Sequence, residues 1–129
     1  MTIREAIEQV DRIKPNDFDD DIKVRWLSAL DGGMADEVFL TPPSELGLPY
    51  KHPEDMDTEL LVGTPHDDMY LYHLQAMVDM YNGEYGKYQN TMEIFNARYT
   101  NFVRWFADTY EPAKGYDEGK KRPMGRYWQ

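Results

Sequence analysis

The groups in this chain best equipped for chemistry are its carboxylates, 24 Asp and Glu against 14 Lys and Arg, with three histidines and no cysteine. Two runs imitate the opening of a calcium loop. Asp17-x-Asp19-x-Asp21 places Ile22 where that loop needs glycine and Ser28 where it needs a bidentate glutamate, and Asp55-x-Asp57-x-Glu59 places Leu60 and His66 there. Both runs therefore read as solvated helix caps and loop acids. His66 and His73 are seven residues apart; on one helix their rings would stand roughly 10 Å apart, too far to share a metal. Asp67 and Asp68 read as servants of a helix N-terminus, with His73 beside the core. Glu5, Glu8, Asp11, Asp36 and Glu37 raise the possibility of magnesium-dependent phosphate chemistry on facing helices, but no second Glu-x-x-Asp pair matches them, since Asp79 and Glu84 are five apart. No phosphate loop, nucleophile elbow or Cys-His pair occurs. The reading assigns no catalytic residue, no cofactor site and no metal site, and expects no enzyme.

Stepping from side chains to the elements that must hold them, 129 residues suffice for one core. Absence of cysteine removes disulfide and thiolate chemistry and fits maturation in a reducing cytoplasm. No run approaches the roughly 20 apolar residues of a membrane span, so a soluble chain is expected. A formal charge of −10 argues against a reader of nucleic acid, whose affinity comes from neutralising phosphates.

Apolar residues keep helical time most strictly between His66 and Tyr110. Tyr85, Tyr88, Met92, Phe95, Tyr99, Phe102 and Phe106 recur at threes and fours, and a first stripe holds Met69, Tyr72, His73, Ala76, Met77, Met80 and Tyr81. Asn82-Gly83 separates the two stripes as a stop signal. The spacing predicts an antiparallel hairpin of helices over about 67–82 and 85–110. Thr2 and Glu5 form a capping-box spacing ahead of a helix over about 3–14 that Pro15 ends. Ile22, Trp26, Leu27, Leu30, Met34 and Val38 predict the buried face of a second helix reaching about Phe39, with Gly32-Gly33 a place to bend or pause. From Leu40 to Pro65 periodicity is lost among five prolines, so this stretch reads as a functional or mobile loop. Leu60-Leu61-Val62 could form one short extended piece. The predicted fold is all-α: a small bundle built on a long helical hairpin, with a long loop and an extended C-terminal arm.

The expected division is a helical domain over 1–110 and a flexible arm over 111–129. Nine basic and 21 acidic residues give the domain −12, while five basic and three acidic residues give the arm +2. Ten tyrosines and three tryptophans exceed what a core of this size hides with every polar tip satisfied, so some should face another subunit.

Asp79-Met80-Tyr81-Asn82-Gly83-Glu84, Lys87-Tyr88-Gln89-Asn90 and Phe95-Asn96-Ala97-x-Tyr99, with the opening helix and Asp20-Asp21-Ile22-Lys23, carry a likeness. Over residues 1–110 in general order, the chain resembles the head-tail connector, adaptor or head-completion proteins encoded among the head genes of tailed phages and prophages of Gram-positive bacteria. The resemblance implies a helical bundle that assembles as a homo-oligomeric ring, typically of twelve copies, under the portal protein. It implies loops facing a tail-side connector or stopper protein, and DNA that passes without specific binding. It also implies residence in the virion neck, after assembly in the host bacterial cytoplasm. The long 40–65 loop departs from the most compact members. The arm would reach the portal, with Arg122, Arg126, Tyr127 and Trp128 as partner-binding residues, chosen because Arg, Tyr and Trp dominate interface energetics. Two other functions stay open on the residues alone: a magnesium-dependent all-α nucleotide pyrophosphohydrolase, and a small helical, dimeric interaction or regulatory protein.

Overall fold

The computed structural model describes residues 1–110, so the expected arm lies outside the described residues. Four helices form: α1 (Ile3–Ile13), α2 (Asp20–Glu37), α3 (Met69–Tyr81) and α4 (Tyr85–Tyr110), with one 3-10 turn, Pro43–Leu46, between α2 and α3. No strand occurs among the described residues, only an isolated antiparallel bridge between Thr2 and Glu59. The fold is all-α.

Local chemistry sets the helix ends. Thr2 Oγ1 accepts from the Glu5 amide at 3.1 Å while the Glu5 carboxylate accepts from the Thr2 amide at 2.8 Å, a complete capping box that satisfies two donors at the start of α1. After Pro15, Asn16 accepts from the Phe18 amide (3.0 Å) and turns the chain into α2. Asp19 occupies the N-cap position of α2 but makes no side-chain capping bond. Together with Asp20 and Asp21 it acts on the helix through charge alone. Gly83 at φ +77° closes the hairpin in the left-handed region, where a side chain would be strained.

Contacts at the helix ends fix the directions. Lys14 meets Asp79 and Trp26 stacks on Tyr81, so the end of α1 and the beginning of α2 gather at the hairpin turn. At 26 residues α4 is about 39 Å long, twice α3, and therefore overruns it. The overrun covers the other end of α2, where Phe39 packs edge-on against Phe102 (6.0 Å) and Phe106 (5.1 Å) and His66 lies 4.9 Å from Trp105.

Three expectations change. The buried residues of α2 are Lys23, Val24, Leu27, Asp31, Met34 and Ala35, a face rotated from the one the apolar spacing suggested because it holds two charged residues. That helix runs unbroken through Gly32-Gly33 and stops at Glu37. In α3, Tyr70, Leu74 and Val78 are buried along with Met69 and Ala76, whereas Tyr81 is exposed. Being sandwiched between α4 and the α1–α2 pair, α3 buries more than one stripe. Lastly, the 40–65 segment is part of the core. Leu46, Leu48, Tyr50, Met56, Leu60, Leu61 and Val62 are all buried, and its backbone bonds to the start of α1, Ile3 to Thr58 and Arg4 to Met56.

The seam of α4 points inward at Phe95 and Phe102 and is half-buried at Tyr88, Met92, Tyr99 and Phe106. Phe102→Ala should lower the unfolding free energy measured by denaturant titration by about 3–5 kcal/mol. A loss under about 1 kcal/mol would mean that the overrun of α4 does not belong to the core.

Candidate functional site

The polar groups inside this protein are joined into networks, and those networks hold the surfaces. Asp31, fully buried on α2, accepts from the Tyr70 hydroxyl (2.6 Å), the Tyr50 hydroxyl (2.5 Å) and the Leu61 amide (3.1 Å). Tyr70 in turn accepts from the Val62 amide at 2.9 Å. One carboxylate thus ties α2 to α3 and to the middle and the end of the folded loop. Burial, with the negative Asp31 beside it, holds the Tyr70 hydroxyl well above its usual pKa, so it stays a donor.

Two ion pairs brace the hairpin end. Buried Asp79 is met through both oxygens by Lys14 (2.7 and 2.8 Å), and buried Lys23 reaches Asp11 at 2.6 Å. Removal of Lys14 would strand the buried charge of Asp79, and removal of Asp11 that of Lys23, a loss of roughly 3–5 kcal/mol where desolvation is complete, whereas Lys14 and Asp11 themselves keep access to solvent. Their role is to fix how α1, α2 and α3 meet.

Four of the carboxylates considered for phosphate chemistry are engaged in holding the fold, while Glu8, Asp36 and Glu37 lie exposed. Glu5 caps α1, Asp11 and Asp79 hold lysines, and Glu84 pairs with Lys87 at 3.1 Å. Among the described residues no group of three His, Asp or Glu side chains is arranged to hold a metal ion. Asp67 and Asp68 make no capping bonds to α3: Asp67 meets the Met1 amine (3.3 Å) and Asp68 the Arg98 guanidinium (3.0 Å). His66 lies in the turn before α3, packed on Phe102 and Trp105, while His73 lies within α3 against Phe95, so the two belong to separate aromatic clusters. Arg122, Arg126, Tyr127 and Trp128 lie outside the described residues.

What the fold brings together at its surface is the hairpin end. Trp26 stacks on Tyr81 with centroids 5.5 Å apart and rings near parallel (8°), and Phe18 meets Trp26 edge-on at 5.5 Å. Tyr81 is 63% exposed, and Tyr85 and Ile13 at the same end are 61% and 57% exposed. Phe18 also forms one wall of an open acidic cleft with Asp19, Asp20, Asp21 and His52. Asp21 and His52 continue into a second cleft of about 310 Å³ bounded by Arg25, Ser28 and Tyr50. At the low end for small-molecule pockets and open to solvent, this relief suits a peptide segment better than a metabolite. Sequence reasoning had Trp26 in the core and Tyr81 in the stripe. It missed their stack because their positions on two helices 55 residues apart carry no local signal.

Comparison with family models, curated proteins and solved structures finds no match. No helix among the described residues is long and apolar enough to cross a membrane.

His73 generates a pH prediction. Burial lowers its pKa from 6.5 to about 4, a hydrogen bond to the Trp26 backbone opposes the shift, and Nδ1 has no partner. The unfolded chain binds this proton below pH 6.5 and the folded one only below about 4, so stability falls as pH drops through that window. The loss totals on the order of 3 kcal/mol. As pH falls through this window wild type should lose about this much unfolding free energy relative to His73→Leu, which lacks the titrating group; parallel pH profiles for the two proteins would contradict it.

Proposed function

We propose that this chain is a structural, self-assembling phage protein of the head-tail connector kind. It forms a homo-oligomeric ring under the portal and presents its other side to a tail-side connector or stopper protein. The resemblance in the hairpin and opening helices suggests the class, and the observation that carries it is α4. This helix is 26 residues long and, where burial is described, only Phe95 and Phe102 along it are buried. Its outer face is exposed along its length and sets Gly86, Asn90, Ile94, Ala97 and Asn101 beside Glu93, Arg104 and Asp108. So long a helix, packed on its own chain along so narrow a seam, leaves most of its surface for a neighbouring copy to cover. Lateral contacts along it would leave the acidic groups of the body for a channel, where negative walls repel sliding phosphates instead of trapping them.

Neighbouring helices, not a reacting centre, are the chemistry this reading requires. The braced α1–α3 block supplies the rigidity, because a ring must hold its angle between copies. Mixed with the portal protein of a phage that carries it, the purified chain should appear in electron micrographs as a symmetric ring on the portal, and Ile94→Glu should abolish that ring while leaving the fold intact by circular dichroism. A monomer that neither rings nor sediments with the portal, or magnesium-dependent nucleotide turnover lost in Glu5→Ala or Glu8→Ala, would overturn the proposal.

A further inference from the structure

The hairpin end combines three features: a Trp26–Tyr81 stack that is half-exposed at Trp26 and exposed at Tyr81, the ring of Phe18, and the exposed carboxylates of Asp19, Asp20 and Asp21, which make no salt bridge among the described residues, although the Asp20 charge acts on Arg4. His52 lines the same cleft and Arg25 the adjoining one. A surface of stacked rings rimmed by exposed carboxylates fits a segment that offers guanidinium groups and flat side chains, since cations lie over aromatic faces and pair with carboxylates. The chain contains such a segment beyond the described residues: Arg122-Pro123-Met124-Gly125-Arg126-Tyr127-Trp128. We propose that the hairpin end is the docking site for this segment of a second copy of the chain.

Geometry decides between the second copy and the chain's own segment. The end of α4 lies about 39 Å from the hairpin turn, the full length of the helix. Residues 111–125, ahead of Arg126, number fifteen and span about 50–54 Å when completely extended but only about 19–23 Å as a relaxed flexible chain. The chain's own Arg126, Tyr127 and Trp128 could therefore arrive only with the intervening residues drawn out to nearly twice their relaxed span, whereas a copy whose α4 ends beside the hairpin turn delivers them with slack. Charge agrees, as residues 111–129 carry +2 and the body −12. Such a contact joins one end of a subunit to the opposite end of the next. Reciprocated between two antiparallel copies it closes a two-fold dimer; passed on from copy to copy it is heterologous, and closes into a ring or grows into a fibre according to the rotation it imposes. It deepens the self-assembly part of the proposed function and gives Arg122, Arg126, Tyr127 and Trp128 a destination within the assembly in place of the portal. The α4 face and this contact are separate surfaces, so one can fail without the other.

The absence of cysteine makes the test direct. Full-length Asn82→Cys and full-length Gln129→Cys, each beside the docking rings rather than one of them, are mixed under mild oxidation and the covalent heterodimer is followed by denaturing electrophoresis. It should form at least about tenfold faster than with Ile94→Cys as the partner of Gln129→Cys, a ratio of well-resolved binding preference. Adding Asp19→Lys and Asp20→Lys to the Asn82→Cys chain should remove the advantage, and 1 M salt should weaken it. Equal rates at Asn82 and Ile94 would overturn the proposal. So would an Asn82→Cys, Gln129→Cys double variant that closes only within single chains at high dilution and high concentration alike, because the occupant would then be the chain's own segment. Portal-bound rings formed by Trp128→Ala would leave the connector function standing while failure of the cross-link removes this contact.

Discussion

The whole bundle turns on a charge kept out of water. Asp31 is buried on α2, and a carboxylate there is tolerable only because the hydroxyls of Tyr50 and Tyr70 and the amide of Leu61 are aimed at it. Each of these donors comes from a different stretch: the middle of the long loop, the first turn of α3, and the end of the loop. The loop must therefore fold before the helices can close over the acid, and the helices must close before the loop has anything to hold. Mutual dependence of this kind makes the unit cooperative, since loss of one donor leaves a buried acceptor unsatisfied at a cost of about 1–3 kcal/mol.

From that constraint follows the way surface is divided. Loop residues that could have formed a mobile excursion are spent as core, which frees α4 from covering them. The long helix then needs to bury only one narrow seam and leaves a broad polar face outward. At the other extreme of the molecule, Lys14–Asp79 and Lys23–Asp11 pull three helix ends together beneath the Trp26–Tyr81 stack. Rigid support under an aromatic pair anchored at half-buried Trp26 keeps the exposed Tyr81 presented without collapsing into the interior, which is the property a docking surface needs.

Much of this order was legible in the residues, and the gaps have physical causes. The capping box at Thr2 and Glu5, the Asn82-Gly83 stop and the inward seam at Phe95 and Phe102 are local signals, and all three stand in the structure. The buried face of α2 was misread because Lys23 and Asp31 count as polar in any periodicity, although each is internal once its partner is supplied from far along the chain. The 40–65 segment was misread for the complementary reason. Its buried residues, Leu46, Leu48, Tyr50, Met56 and Leu60 to Val62, follow no period because their backbone is irregular, so pattern reading finds only prolines and acids. The candidate site shows the same split. Acids at 19–21 could be named from the sequence, but their union with a ring stack required tertiary structure, and the proposed partner residues at 122–128 lie outside the described residues.

Native-state hydrogen exchange at Leu61 and Val62 tests the central dependence on Asp31 most directly. Their amides donate to Asp31 and to Tyr70, so both should exchange only through global unfolding, with protection equal to that of the core of α3. In Tyr70→Phe both should lose protection together with the α3 core amides. Exchange at Leu61 and Val62 as fast as at exposed loop positions such as Lys51, with α3 still protected, would show that the loop opens independently and that the buried carboxylate does not hold the fold.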